Sequence, residues 1–320
     1  MSDEATDNDD PVIPAPPHPV HRQEKLPWQR PKPALDDMDA PERVRRLMED
    51  PAYRQADEDV DFLQQDDTRG IRLQLDYSKP EALLREHGIE HTIVVFGSTR
   101  IPEPAAAHRE VERLEQALAE TPNDVALQRK LDIARRILAK SHYYRVARDF
   151  GRLVGDAGNG PGDCRVVLMT GGGPGMMEAA NRGAWETGAK TIGLNITLPH
   201  EQFPNPYLTP GLCLRFHYFA LRKLHFLLRA RALVAFPGGY GTLDELFETL
   251  TLIQTRKIAP LPVILIGEAY WRRVIDFDFL VAEGTIDPED RELFWFAETA
   301  LDAWEGILQW HQANGTPLFG

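Results

Sequence analysis

Residues 232–245 read ALVAFPGGYGTLDE: a short apolar run, a stop at Pro237, then three glycines leading into helix-forming residues. An apolar run of this length bounded by a turn is a buried strand, and the turn opens a helix. Residues 165–184, RVVLMTGGGPGMMEAANRGA, repeat the order of strand, glycine turn and helix. Working outward, TIVVFG (92–97), TIGLNI (191–196), residues 214–217 and LPVILIG (261–267) supply further short strands. Helical stretches separate them, among them FALRKLHFLLRARA (219–232) and the segments around Trp271 and 298–311. Strands alternating with helices predict βαβ units and one parallel sheet. The fold class expected is α/β, a Rossmann-like doubly wound parallel sheet with helices on both faces and a helical N-terminal extension.

The front of the chain differs in composition. Residues 1–35 are Pro-rich and acidic without apolar period, and a disordered arm is expected there. Residues 36–90 read as a helical extension in short pieces, with Pro80 opening PEALLREHG and Gly88 closing it. The Rossmann-like domain is expected over 91–320. A helical hairpin is inserted around 105–157, broken at Pro122-Asn123. Val111, Leu114 and Leu118, then Leu127, Leu131, Ala134 and Leu138, follow helical spacing there. Trp271, Phe294, Trp295, Phe296 and Trp304 read as core or subunit interface.

Composition narrows the function classes. Hydrophobic residues make up 42% of the 320, enough for a sizeable core. No apolar run reaches the length of about 18 residues that a membrane helix needs. The first ten residues, MSDEATDNDD, lack the apolar region of a secretory signal. Two cysteines, Cys164 and Cys213, do not make a disulfide framework. A cytoplasmic protein without a membrane partner is therefore expected. A net charge of −13 argues against a broad nucleic-acid surface but leaves room for a local anion site.

The glycine turns suggest what that anion is. The first N–H groups of a helix have no backbone partner, and the helix dipole adds partial positive charge. Glycine lets a phosphate approach them. Strand C-termini in a doubly wound sheet face the ligand crevice, so both turns, together with the Gly97-Ser98-Thr99 loop after the first strand, are candidate contacts for a phosphate-bearing ligand, Gly97 and Ser98 foremost in that loop. In the 171–175 turn the candidates are Gly172, Gly173 and Gly175; in the other they are Gly238, Gly239, Tyr240, Gly241 and Thr242. Other chemistries fail on spacing. G-x-G-x-x-G/A meets Met176 or Asp244 at its last position, no Walker loop occurs, and His200-Glu201 lacks the second histidine of a zincin. Ser98 has no G-x-S-x-G elbow. No metal site is expected, and His217 and His225 read as packing residues. Glu245 lies in the first turn of the helix after Gly241, with Glu248 one turn on and Asp244 expected to point elsewhere. Arg222-Lys223 is a basic pair in a mostly apolar stretch.

PGGYGTLDE (237–245), with Arg222-Lys223 upstream, resembles the LOG (Lonely Guy) family, long labelled "lysine decarboxylase-like". The family signature P-G-G-x-G-T-x-x-E is matched at every defined position. The resemblance implies a Rossmann-like fold and cleavage of the N-glycosidic bond of nucleoside 5′-monophosphates to free base and ribose 5-phosphate. Plant members act on cytokinin ribotides, and many bacterial members accept AMP or other monophosphates. It implies Arg222 and Glu245 as the catalytic pair and Lys223 as the second basic residue. Glu201 and Thr251 are implied as substrate contacts. No cofactor is implied, pyridoxal phosphate included, and pairing into a homodimer or larger homo-oligomer is. The chain departs from shorter members after the first strand, where it reads Phe-Gly-Ser-Thr-Arg-Ile, and at Glu178, where glycine is usual. A different class of function, a nucleotide- or cofactor-binding carrier or regulator without turnover, fits the same fold; the complete Arg222/Glu245 pair distinguishes a hydrolase from it.

Overall fold

A computed structural model describes residues 15–22, 24–158, 165–199 and 203–318. It divides into two compact units, residues 1–69 and 70–320. The acidic arm expected over 1–35 lies partly outside the described residues. Its described part is almost wholly exposed, with one 3-10 turn at Pro27–Gln29. The rest of the first unit contains helices α1 (Ala40–Glu49) and α2 (Val60–Leu63). Asp59 caps α2, its side chain accepting from the Phe62 N–H.

The second unit is built on α3 (Arg69–Glu86) and seven strands: β1 (His91–Phe96), β2 (Val166–Thr170), β3 (Thr191–Ile196), β4 (Cys213–Phe216), β5 (Ala230–Ala235), β6 (Val263–Ile266) and β7 (Trp295–Ala297). They form one sheet in the order β4-β3-β2-β1-β5-β6-β7, and each neighbouring pair is parallel. The chain winds outward from β1 to one side and restarts at β5 on the other. The topological switch therefore lies between β1 and β5, where an open α/β sheet leaves a crevice beyond its strand C-termini.

Helices cover both faces. They are α4 (Pro104–Glu120), α5 (Val125–Lys140), α6 (His142–Ala157), α7 (Met176–Glu186), α8 (Phe219–Leu228), α9 (Tyr240–Gln254), α10 (Glu268–Val274), α11 (Phe277–Ala282) and α12 (Ala300–Ala313). Side chains alternate along a strand. Thus Ile93 and Val95 of β1 pack with Phe150 of α6, Ala180 of α7 and Trp304 of α12. Val94 and Phe96 face the opposite layer, with Leu84 of α3, Phe226 of α8, Leu246 of α9 and Trp271 of α10. Full burial of a Leu or Phe side chain contributes about 1.5–3 kcal/mol, so β1, apolar on both faces, anchors the two layers.

Three local features differ from the sequence reading. Pro80 does not open a helix: it lies inside α3, which runs for 18 residues to Glu86 and is closed by Gly88, with φ at 71° and the Ile89 N–H bonded to the Leu84 carbonyl. A proline inside a helix forfeits one hydrogen bond, but Pro80 and Leu84 are both buried, and that packing carries the helix through. The stretch expected as a hairpin has a second break, at Ser141. Only α4 and α5 pair through Val111, Leu114, Leu131 and Ala134, whereas α6 joins the sheet layer through Tyr144, Phe150 and Val154. Residues 295–297, read as core or interface aromatics, form the edge strand β7.

Candidate active site

Four strand ends converge on the crevice beside the β1/β5 switch. It has a volume of about 630 Å³. Gly97, Ser98, Thr99 and Arg100 follow β1, Gly171, Gly173 and Met177 follow β2, Ile196 ends β3 and Leu198 follows it. Gly239, Tyr240, Gly241, Thr242, Asp244 and Glu245 follow β5, while Phe219 and Arg222 enter from α8. The loops are tied to one another by backbone bonds: Ser98 N–H to the Pro237 carbonyl (3.0 Å) and Met176 N–H to the Ser98 carbonyl (3.1 Å). Buried polar side chains brace the second turn. Thr170 donates to Asn181 (2.7 Å) and accepts from the Gly172 N–H (2.9 Å), and Asn205 donates to the Gly173 carbonyl (3.1 Å) and to Asn181 (2.9 Å).

The two glycine turns do different work. Gly239 is the N-cap of the 15-residue helix α9. An added Cβ at Gly239 or Gly241 would meet nothing within 4 Å, so the helix N-terminus is open to an incoming anion. In the other turn, Gly175 has φ at 73° and lies against the Ser98–Thr99 backbone, so it serves the turn itself. Gly171 makes room for a catalytic candidate: a Cβ there would sit 2.7 Å from an Arg222 guanidinium nitrogen.

Arg222 is held by several contacts. Its Nε donates to the Leu194 carbonyl within β3 (2.8 Å), and the guanidinium lies over the Phe226 and Phe219 rings, 5.2 and 5.9 Å from their centroids. Burial pulls its pKa down, and nearby Glu245 opposes that. Glu245, with 7% of its surface exposed, has its carboxyl pushed up to about 7 by burial, against the pull of Lys223 and Arg222. No hydrogen bond among the described residues reaches its side-chain oxygens. Lys223 lies at 2.8 Å from Asp244 and 3.2 Å from Glu248. Burial draws its ammonium pKa down, but Asp244, Glu245 and Glu248 outweigh that and the net shift is upward.

Of the residues singled out from sequence, Gly97, Ser98, Gly173, Arg222, Gly239, Tyr240, Gly241, Thr242 and Glu245 line this crevice. Lys223 and Thr251 line an adjoining groove of about 580 Å³, which shares Tyr240 and Asp244 with it. Gly172, Gly175 and Gly238 lie in the turns without lining either; Gly238 packs on Thr242 and its carbonyl accepts from the Tyr270 hydroxyl (2.6 Å). Glu201 and His200, like Cys164, lie outside the described residues. Asp244 does not point elsewhere: it lines the crevice and pairs with Lys223, because α8 lies alongside the first turn of α9. Thr99 and Gly171, which belong to the loops read from sequence, line it too; Arg100 and Met177 were not singled out, and adjacency to those loops was the signal that could have found them. Glu178 is turned to α6, where it accepts from the Tyr144 hydroxyl (2.8 Å). His225 is buried among Tyr77 and Phe216 as a packing residue, with Glu81 3.5 Å from its Nε2.

Among the described residues, no helix is long and apolar enough to cross a membrane, and no three His, Cys, Asp or Glu side chains cluster as metal ligands.

The family model described as "Possible lysine decarboxylase" matches residues 177–307. The cytokinin riboside 5′-monophosphate phosphoribohydrolase LOG3 of Arabidopsis thaliana is 33% identical over 152 residues, 46% of this chain and 69% of that protein. The probable enzyme of the same description LOGL3, from Oryza sativa subsp. japonica, is 30% identical over 166 residues, 48% of this chain and 74% of that protein. The Moco carrier protein of Chlamydomonas reinhardtii is similar at a TM-score of 0.40 and 19% identity, over 70% of this chain and 99% of that one. Identity at this level, over more than two thirds of the plant proteins, means that the chain belongs to the LOG family.

Proposed function

We propose that the chain hydrolyses the N-glycosidic bond of nucleoside 5′-monophosphates, releasing the free base and ribose 5-phosphate. The observation that carries this reading is the Glu245 carboxyl: buried, near neutrality in its pKa, flanked by Arg222 and Lys223, and in the same crevice as the open N-terminus of α9. In the reaction the C1′–N bond breaks, its electron pair leaves with the base, and the sugar passes through an oxocarbenium-like state. The ionised Glu245 stabilises that positive charge and takes a proton from the water whose oxygen bonds to C1′; the proton then passes to the base or to solvent. A base with a pKa near the working pH serves this step well. Arg222 fixes the nucleotide and offsets negative charge. The phosphate, seated at Gly239–Thr242, supplies remote binding energy that holds the ribose in place.

The substrate class follows from the same parts. An open helix N-terminus has no role for an uncharged nucleoside, so a 5′-phosphate is required. Purine monophosphates, AMP and cytokinin riboside 5′-monophosphate, are the substrates proposed first. AMP and adenosine compared side by side test this: kcat/KM for AMP should exceed that for adenosine by at least about tenfold, the equivalent of about 1.4 kcal/mol. Equal values would show that the turns are structural only.

A further inference from the structure

Helix α3 lies outside the stretch matched by the family model, yet its acids hold the helix that carries Arg222. The Asp76 carboxylate accepts from the backbone N–H of His217 at 3.0 and 3.1 Å and from that of Tyr218 at 2.9 Å. Tyr218 is the N-cap of α8, and amides at a helix start have no carbonyl of their own helix to bond. One turn later the chain reaches the site, since the Arg222 N–H bonds the Tyr218 carbonyl at 3.2 Å. The same residue is gripped from its side chain, for Arg72 Nε donates to the Tyr218 hydroxyl at 3.2 Å. At the far end of α8, Glu81 of α3 takes both guanidinium nitrogens of Arg229, at 2.5 and 2.9 Å. Thus α3 holds α8 at each end.

Arg222 has little room in which to be misplaced. Its Nε is committed to the Leu194 carbonyl, and Gly171 leaves its guanidinium a slot with no space for a methyl group. Releasing the first turn of α8 changes the backbone from which that side chain reaches. From this geometry we infer that Asp76 is a positioning residue: by fixing the Tyr218 peptide it sets the place of Arg222, and α3 is part of the support of the site. The inference rests on the hydrolase reading proposed above for its kinetic consequence, though not for its structural one.

The test uses the full chain with Asp76→Ala, Asp76→Asn and Arg222→Ala, alone and as the Asp76→Ala/Arg222→Ala pair. Displacing a positioned group by about 1 Å costs up to about 10²-fold in rate. Asp76→Ala should lower kcat with AMP about tenfold while KM moves less than about twofold. Asp76→Asn, which keeps one acceptor oxygen, should lose less. If the carboxylate acts through Arg222, its removal in the Arg222→Ala background should change kcat by less than about twofold. An equal loss in both backgrounds, or no loss in either, overturns the inference. If the unsubstituted chain releases no base from any monophosphate, the functional reading fails by itself. The positioning claim is then decided by amide hydrogen exchange on the unliganded chain. Asp76→Ala should speed exchange at His217, Tyr218 and Arg222, and unchanged exchange there overturns it.

Discussion

Replacing Glu245 with glutamine should abolish turnover and, above neutral pH, make the protein more stable. The carboxyl titrates at about 7 in the folded chain against an ordinary 4.5, because burial opposes its charge more strongly than Lys223 and Arg222 support it. The folded state therefore holds this proton over a range where the unfolded chain has released it. A carboxyl raised in this way contributes stability that is whole below about 4.5 and is lost as pH rises from there through about 7. At about 1.4 kcal/mol per pH unit, the ionised group costs about 3 kcal/mol at pH 8. Glutamine has nearly the same shape and no charge to bury. The gap between Glu245→Gln and the unsubstituted chain should be small at pH 4.5, widen through pH 5 and 6, and stay level above pH 7. For a unit of this size 1 kcal/mol moves Tm by about 2 °C or more, so Glu245→Gln should melt about 6 °C higher at pH 8. Thermal melts at half-unit pH intervals measure this directly. A constant gap at all pH values, or a glutamine variant less stable at pH 8, would show that Glu245 carries no such burial cost.

Other consequences follow from the same site. If ionised Glu245 is the base, kcat/KM should fall below about pH 7, tenfold per unit on the acid side, and a profile flat from pH 5 to 8 would exclude it. Gly171→Ala should leave Tm within a few degrees, since the guanidinium and the Met177 sulfur, which would lie 2.7 and 2.9 Å from the new methyl, are ends of flexible side chains. The displaced Arg222 should nevertheless lower kcat/KM by about 10–100-fold, and unimpaired turnover would free Gly171 of that role. The homodimer or larger homo-oligomer expected from sequence should use exposed apolar side chains of α8 and α9, among them Leu224, Leu228, Tyr240 and Phe247. Light scattering should then give at least twice the chain mass of 36.2 kDa, and a single-chain mass at micromolar concentration would contradict it.

Much of the fold was legible because its strands are short, β-branched and closed by glycine. TIVVFG, VVLMTGGG and ALVAFPGG each announce a buried strand and its turn without help from distant residues. Strand β7 was not legible: three residues rich in aromatics at a sheet edge have no period to read, and pairing with β6 alone defines them. The course of α3 through Pro80 was hidden for a related reason, since burial of Pro80 and Leu84 overrides a local rule. Glu245 and Arg222 could be found from motif and local composition, but their meeting depends on α8 lying beside α9. Asp244 and Glu248 are four residues apart on one face of α9 and both pair with Lys223, so Asp244 does not point elsewhere. The aromatic residues near the C-terminus show the limit of composition. Trp271, Phe294 and Trp304 are buried in the core, and the exposed apolar side chains lie elsewhere, those of α8 and α9 among them.

Whether this crevice breaks a glycosidic bond is decided by incubating the full chain with a panel of nucleoside 5′-monophosphates and resolving free base and ribose 5-phosphate by chromatography, with Glu245→Gln in parallel. Equal amounts of the two products should form from at least one purine monophosphate, and none from the glutamine variant. Measurable nucleotide binding with no base released from any monophosphate would contradict it.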